Sequence, residues 1–236
     1  MAADIRAVPN LTGQNGSQPG VTNFEFYTAA HLTRITNQVA ASLSELITGL
    51  EECSDACIFH HTFQTLGTHH FLTEGFSNDF AQWVHSATNR AELAEQLAAL
   101  DVRDYVSLAE LRRDLRRIVA DYCRDFPQFA NQLALERFYF SEDVEAVTRL
   151  SLPPARNLIE FRDGLSKISH ASFHFHFISS RLRLQLKTND FSQWLADSLG
   201  RHALASHVNR IDIYTNTLDS ARAKIIRLID REIKLS

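Results

Sequence analysis

The sequence predicts an all-α, mainly helical protein, an internal duplication of two helical units packed on each other about a pseudo-twofold axis. Three observations predict it. Two stretches, Ser54–Trp83 and Ser169–Trp194, each run from an aromatic, histidine-rich segment to an Asn-Asp-Phe-x-Gln-Trp motif. Asn78–Val102 set on Asn189–Ile213 gives nine identities in 25 positions, and Glu45–Phe63 set on Glu160–Ile178 gives six in nineteen; unrelated stretches share about one in twenty, so this level signals an internal repeat. Apolar residues around these stretches recur at three- and four-residue spacing, the signature of a helix with one buried stripe.

Composition bounds the rest. At 236 residues, 44% hydrophobic and 22% charged, the chain can bury a core. Three cysteines, Cys53, Cys57 and Cys123, are too few for a disulfide framework, and no secretory leader opens the chain, so a cytoplasmic location is expected. No apolar run is long enough to span a bilayer, so no membrane association is expected. A net charge of −4 disfavours a dedicated nucleic-acid binder, which needs Lys and Arg to neutralise phosphates; a protein or small-molecule partner is favoured instead.

In chain order, residues 1–22 are polar and rich in Gly, Pro and Asn, and predict a disordered tail. The first helical repeat spans 23–130 and the second 131–236. Each opens on aromatic residues that allow a short strand, with Phe26, Tyr27 and Thr36 matched to Phe138, Tyr139 and Thr148. Leu43, Leu46, Ile47 and Leu50 predict a helix, as does the counterpart from Leu158 to Ile168. Phe173–Ile178 alternates as a strand would, yet also forms a helical face; helix is preferred, because Cys53, Cys57 and His61 in the first copy fall on one stripe at four-residue spacing. Asn78 and Asn189 sit in cap position, followed by Asp in the first turn, then Phe, Trp and an aliphatic residue on one face. Ser107-x-x-Glu110 and Thr217 start the long closing helices, and Pro127 ends the helix before it.

Four sets of residues carry chemistry. His61 with Asp79, and His176 with Asp190, can act as base and orienter in a catalytic dyad, or can be structural links in which histidine bonds the motif aspartate. Cys57, His61, His69, His70 and Glu74 supply donors for Zn or Fe, although no paired Cys-x-x-Cys accompanies them and only the histidine at 61 recurs, as His176. Trp83 and Trp194 are core residues, or line a ligand-binding aromatic groove. Arg112, Arg113, Arg116 and Arg117 form a basic helix face, solvated or open to an anion.

The pattern His61, Asn78-Asp79-Phe80, Trp83, Leu93-Ala94 resembles an uncharacterised bacterial family catalogued only as a domain of unknown function. The resemblance covers Phe24 to Ser236 and implies a soluble, mostly helical protein with no assigned activity, cofactor or site. The residues themselves favour a non-catalytic binding or regulatory protein. The rival is a metal-dependent enzyme using the histidine loop of the first repeat.

Overall fold

The computed structural model describes residues 22–64, 76–184 and 187–235. The predicted tail falls outside them up to residue 21, as does the segment carrying His69, His70 and Glu74. The described chain is mostly helical, but it is not all-α: two long strands, β1 (Tyr27–Ala40) and β2 (Phe138–Arg149), pair in a two-stranded antiparallel sheet. The expected short aromatic openings are therefore strands of 14 and 12 residues. Their length escaped the pattern because the ribbon exposes much of its apolar content, with Leu32 at 73% and Ile35 at 68% exposure, so period-two burial is absent.

Two compact units divide the chain within both strands, His31–Glu145 forming a central unit, and residues up to Ala30 with those from Ala146 onward forming a terminal unit. The aromatic start of the chain belongs with the last helices, and the aromatic start of β2 belongs with the first.

In the central unit, α1 (Leu43–Glu52) is capped by Ser42, which accepts from the Glu45 N–H, while the Glu45 carboxylate accepts from the N–H of Ala41, one residue before the cap. Ser54 caps α2 (Asp55–Phe59), which runs into a π-helical turn over His60–Gln64. Asn78 caps α3 (Asp79–Thr88), whose stripe buries Phe80, Trp83 and Val84, and which ends on Asn89 in the left-handed region at φ 55°. After α4 (Ala91–Ala98), Ser107 caps α5 (Leu108–Asp125), and Pro127 then starts the short α6 (Pro127–Ala130).

The terminal unit uses the same devices. Asn157 and Glu160 open α7 (Leu158–Lys167), and Ser169 caps α8 (His170–His174). Phe175–Ser179 is again π-helical and leads into α9 (Ser180–Leu184), so the ambiguous Phe173–Ile178 stretch is helical. Asn189 caps α10 (Asp190–Asp197); α11 (His202–Asn209) and α12 (Leu218–Leu235) complete the unit.

Each core is an aromatic cluster, set by the residues just before β1 in one unit and by the first residues of β2 in the other. Phe138 and Phe140 pack against each other at 4.9 Å, with Phe80 and Trp83 5.1 and 5.8 Å from Phe138. Phe24 and Phe26 pack at 5.0 Å, with Phe161, Phe191 and Trp194 within 5.7 Å of Phe24. Phe24 and Phe26 thus stand in the terminal-unit cluster, and Phe138 and Phe140 in the central-unit cluster.

Glycine sets how closely these rings approach the helices. A Cβ on Gly49 of α1 would fall on the ring of Phe140, and one on Gly164 of α7 on the ring of Phe26. Both rings are buried. Alanine favours a helix by up to about 1 kcal/mol over glycine, whereas overpacking a filled core costs about 1–3 kcal/mol. Gly49→Ala and Gly164→Ala should each lower stability in urea denaturation, and Phe140→Leu should restore part of the loss in the first variant only.

Candidate functional site

The repeated histidine lies in a π-helical turn, wrapped in each unit by a phenylalanine from the strand end and one from the Asn-Asp-Phe helix. His61 Nδ1 is 2.8 Å from Asp79 Oδ2, and its Nε2 accepts a 2.9 Å hydrogen bond from the Ser141 backbone N–H. His176 Nδ1 is 2.7 Å from Asp190 Oδ2, and its Nε2 accepts at 2.9 Å from the Tyr27 N–H. Because Nε2 is the acceptor, Nδ1 must carry the proton and donate it to the carboxylate. Each imidazole therefore ties a strand backbone to the first residue of a capped helix. Both histidines are buried.

This arrangement restricts their chemistry. A general base needs a nitrogen lone pair within reach of a substrate proton, and a metal ligand needs one aimed at the ion. In His61 and His176 that lone pair is directed at a backbone N–H. Burial outweighs the neighbouring Asp79 carboxylate and pulls His61 below its ordinary value of 6.5, so the folded state favours the neutral ring.

The other sequence candidates fall in different places. Trp83 and Trp194 are 7% and 6% exposed, and their indole N–H groups donate to the Glu136 and Thr22 carbonyls at 2.8 and 2.6 Å. Cys57 is buried beside Cys53; the hydrogen bond between them, then burial, push the Cys57 thiol up, which disfavours the thiolate a metal requires. Arg112 donates to the Cys53 carbonyl and pairs with Asp55, Arg116 pairs with Glu51, and Arg117 pairs with Asp114. Much of the expected basic face is thus neutralised inside the chain.

A second polar cluster, not anticipated from the sequence, adjoins His61. Ligand atoms of His60, His61 and Asp79 lie within 4.8 Å of one another, yet the His61 lone pair is committed to the Ser141 N–H and Asp79 Oδ2 to His61 Nδ1. On its other side His60 Nδ1 is 2.9 Å from Asp143 Oδ1, which also accepts from Thr33 Oγ1 at 2.8 Å. His31 Nδ1 stands 3.9 Å from Asp143 Oδ2, and its Nε2 stands 3.9 Å from Glu145 Oε1. The Asp143 side chain is 1% exposed. The π turn allows this, because it sends consecutive histidines to different partners. Its trace in the sequence was slight: a carboxylate and a histidine at inward positions of strands that read as short.

Removing one nitrogen tests the His61 assignment. Asn at 61 can still donate to Asp79 but cannot also accept from Ser141, leaving a buried N–H unpaired at a cost of about 1–3 kcal/mol. Since the unfolded chain takes up a proton near 6.5 and the folded chain only below it, the wild type loses stability as pH falls through 6.5 and stops losing it below the folded value. The stability gap between wild type and His61→Asn should therefore narrow between pH 7.5 and 5.5 in urea titrations. A constant gap would show that His61 does not titrate differently in the two states.

Comparison with known proteins places this geometry in a family. No curated protein matches the chain. Among solved structures, OrfY from Thermoproteus tenax is similar over 90% of this chain and 96% of that one, at 28% identity with a TM-score of 0.77. A model described as a family of unknown function, DUF5752, matches residues 21–230. With nearly the whole length of the chain matched, the protein belongs to DUF5752, a family of unknown function.

Proposed function

We propose that the protein is a non-catalytic binding or regulatory protein on an internally duplicated scaffold, acting in the cytoplasm on a protein or small-molecule partner. The observation that carries this reading is the double engagement of His61 and His176. Each histidine that recurs in the sequence uses one nitrogen on a carboxylate and the other on a strand backbone, so the recurring pairs serve as architecture rather than as base and orienter. The matching bonds at Ser141 and Tyr27, with Gly49 and Gly164 under equivalent rings, support the duplication. Three free cysteines are in keeping with a reducing compartment.

Binding determinants belong where the units differ. Counting from the His61–His176 and Ser141–Tyr27 correspondences, His60 and Asp143 of the central unit stand where the terminal unit has Phe175 and Ala29. The terminal unit packs apolar side chains there; the central unit holds a half-buried histidine and a buried carboxylate with one oxygen unpaired. A buried carboxylate incompletely paired lowers stability, and residues kept for binding commonly do so.

Transplanting the terminal-unit residues tests this directly. The double variant His60→Phe, Asp143→Ala should remain folded and melt higher than the wild type, by about 2–4 °C for each kcal/mol regained. A lower melting temperature would make the cluster part of the scaffold and contradict the reading.

A further inference from the structure

Resting on the duplicated scaffold and the binding role proposed above, we propose that the terminal unit carries a docking groove for a short phenylalanine-bearing segment of a partner protein. The groove is an open cavity of about 390 Å³, lined by Asn157, Leu158 and Ile159 at the start of α7, Leu199 and Arg201 at the turn between α10 and α11, and Ile233 near the end of α12.

The central unit shows what such a groove holds. Its corresponding turn is built in the same way: Asn89 and Gly200 both adopt positive φ, and the N–H of the next residue, Arg90 or Arg201, returns to the carbonyl of Val84 or Leu195. Ser42 and Asn157 correspond as the caps of α1 and α7. Over this place in the central unit, α6 packs against α1 and α5 and sets the ring of Phe129 with its centroid 3.7 Å from the Arg90 guanidinium carbon. Arg90 also donates to Gln132 Oε1 at 2.6 Å. The ring quadrupole attracts a cation placed on its face, so the segment is held by charge as well as by apolar contact.

Among the described residues, no helix stands to the terminal groove as α6 stands to the central one. Its walls are nevertheless the more apolar. Ile159 and Leu199 occupy the positions of Ser44 and Thr88, and Ile159 is 58% exposed where Ser44 is half-buried. Arg201 bonds Glu232 at 3.1 Å, and a guanidinium held at its edge can still stack a ring on its face. The groove thus offers apolar walls and a guanidinium, and no aromatic residue lines it. Residues 1–22, which lead toward β1 as α6 leads toward β2, contain no aromatic side chain, so the ring comes from another molecule.

The probe is a synthetic peptide of residues 124–136, added to the full chain. A segment cut from its chain loses the effective concentration that held it, so binding is read by saturation-transfer NMR, which detects weak complexes. The phenylalanine rings of the peptide should receive saturation in a saturable manner, and a Phe129→Ala peptide should not bind. Ile159→Glu, an exposed change whose carboxylate suits the first turn of a helix, should weaken binding at least about tenfold by setting a charge in an apolar contact. Arg201→Ala should weaken it about two- to fivefold. Leu32→Ser, an exposed apolar change outside the groove, should leave it intact. No saturable binding, or binding undiminished in Ile159→Glu, overturns the proposal. Benzoate bound in the groove where the peptide is not would assign it to a small aromatic acid, and self-association abolished by Ile159→Glu would assign it to a second copy; either result also overturns it. If the peptide does not bind while His60→Phe, Asp143→Ala melts higher, only the groove assignment fails; if that variant melts lower as well, the binding reading fails with it.

Discussion

A neutral imidazole has one donor and one acceptor on opposite sides of a small ring, and burying it requires that both be satisfied. In this protein that requirement orders the core of each unit. The acceptor is met by a strand N–H at Ser141 or Tyr27, the donor by an aspartate at the start of a helix, Asp79 or Asp190. One side chain thus fixes the strand, the π-helical turn and the capped helix against one another. The aromatic rings around it then close the core with little polar surface left exposed to apolar neighbours.

The π turns are the local expression of that constraint. Widening one helical turn over His60–Gln64 and Phe175–Ser179 places His61 and His176 between a strand backbone and a helix N-terminus. In the terminal unit the preceding residue is Phe175, an apolar side chain that is simply buried. In the central unit the same position is His60, which reaches Asp143. A difference of one residue beside the structural histidine separates a packed core from a polar cluster with a carboxylate oxygen left unpaired.

Much of this was legible in the sequence where it depended on neighbours along the chain. Asn78, Ser107, Asn189 and Thr217 announce their helices, and all four side chains accept a first-turn N–H. The pairing of His61 with Asp79 and of His176 with Asp190 follows from one motif repeated. What could not be read depends on contacts far apart in sequence. The ribbon is long because β1 and β2 satisfy each other's backbones, not because their side chains alternate. The exchange of aromatic starts between the first and last parts of the chain changes no local pattern. The cluster of His31, His60 and Asp143 joins residues from three places, none of which carries a ligand motif by itself. His69, His70 and Glu74, the donors that the sequence did offer for a metal, lie outside the described residues.

The commitment of both nitrogens is the claim on which the account turns, and nitrogen-resolved NMR of the imidazole rings tests it most directly. Two-bond proton–nitrogen correlations at neutral pH should show His61 and His176 as neutral rings protonated on Nδ1, the tautomer required by acceptance at Nε2. Rings protonated on Nε2, or averaging between tautomers as in free solution, would contradict it, and would return both histidines to the pool of catalytic or metal-binding groups.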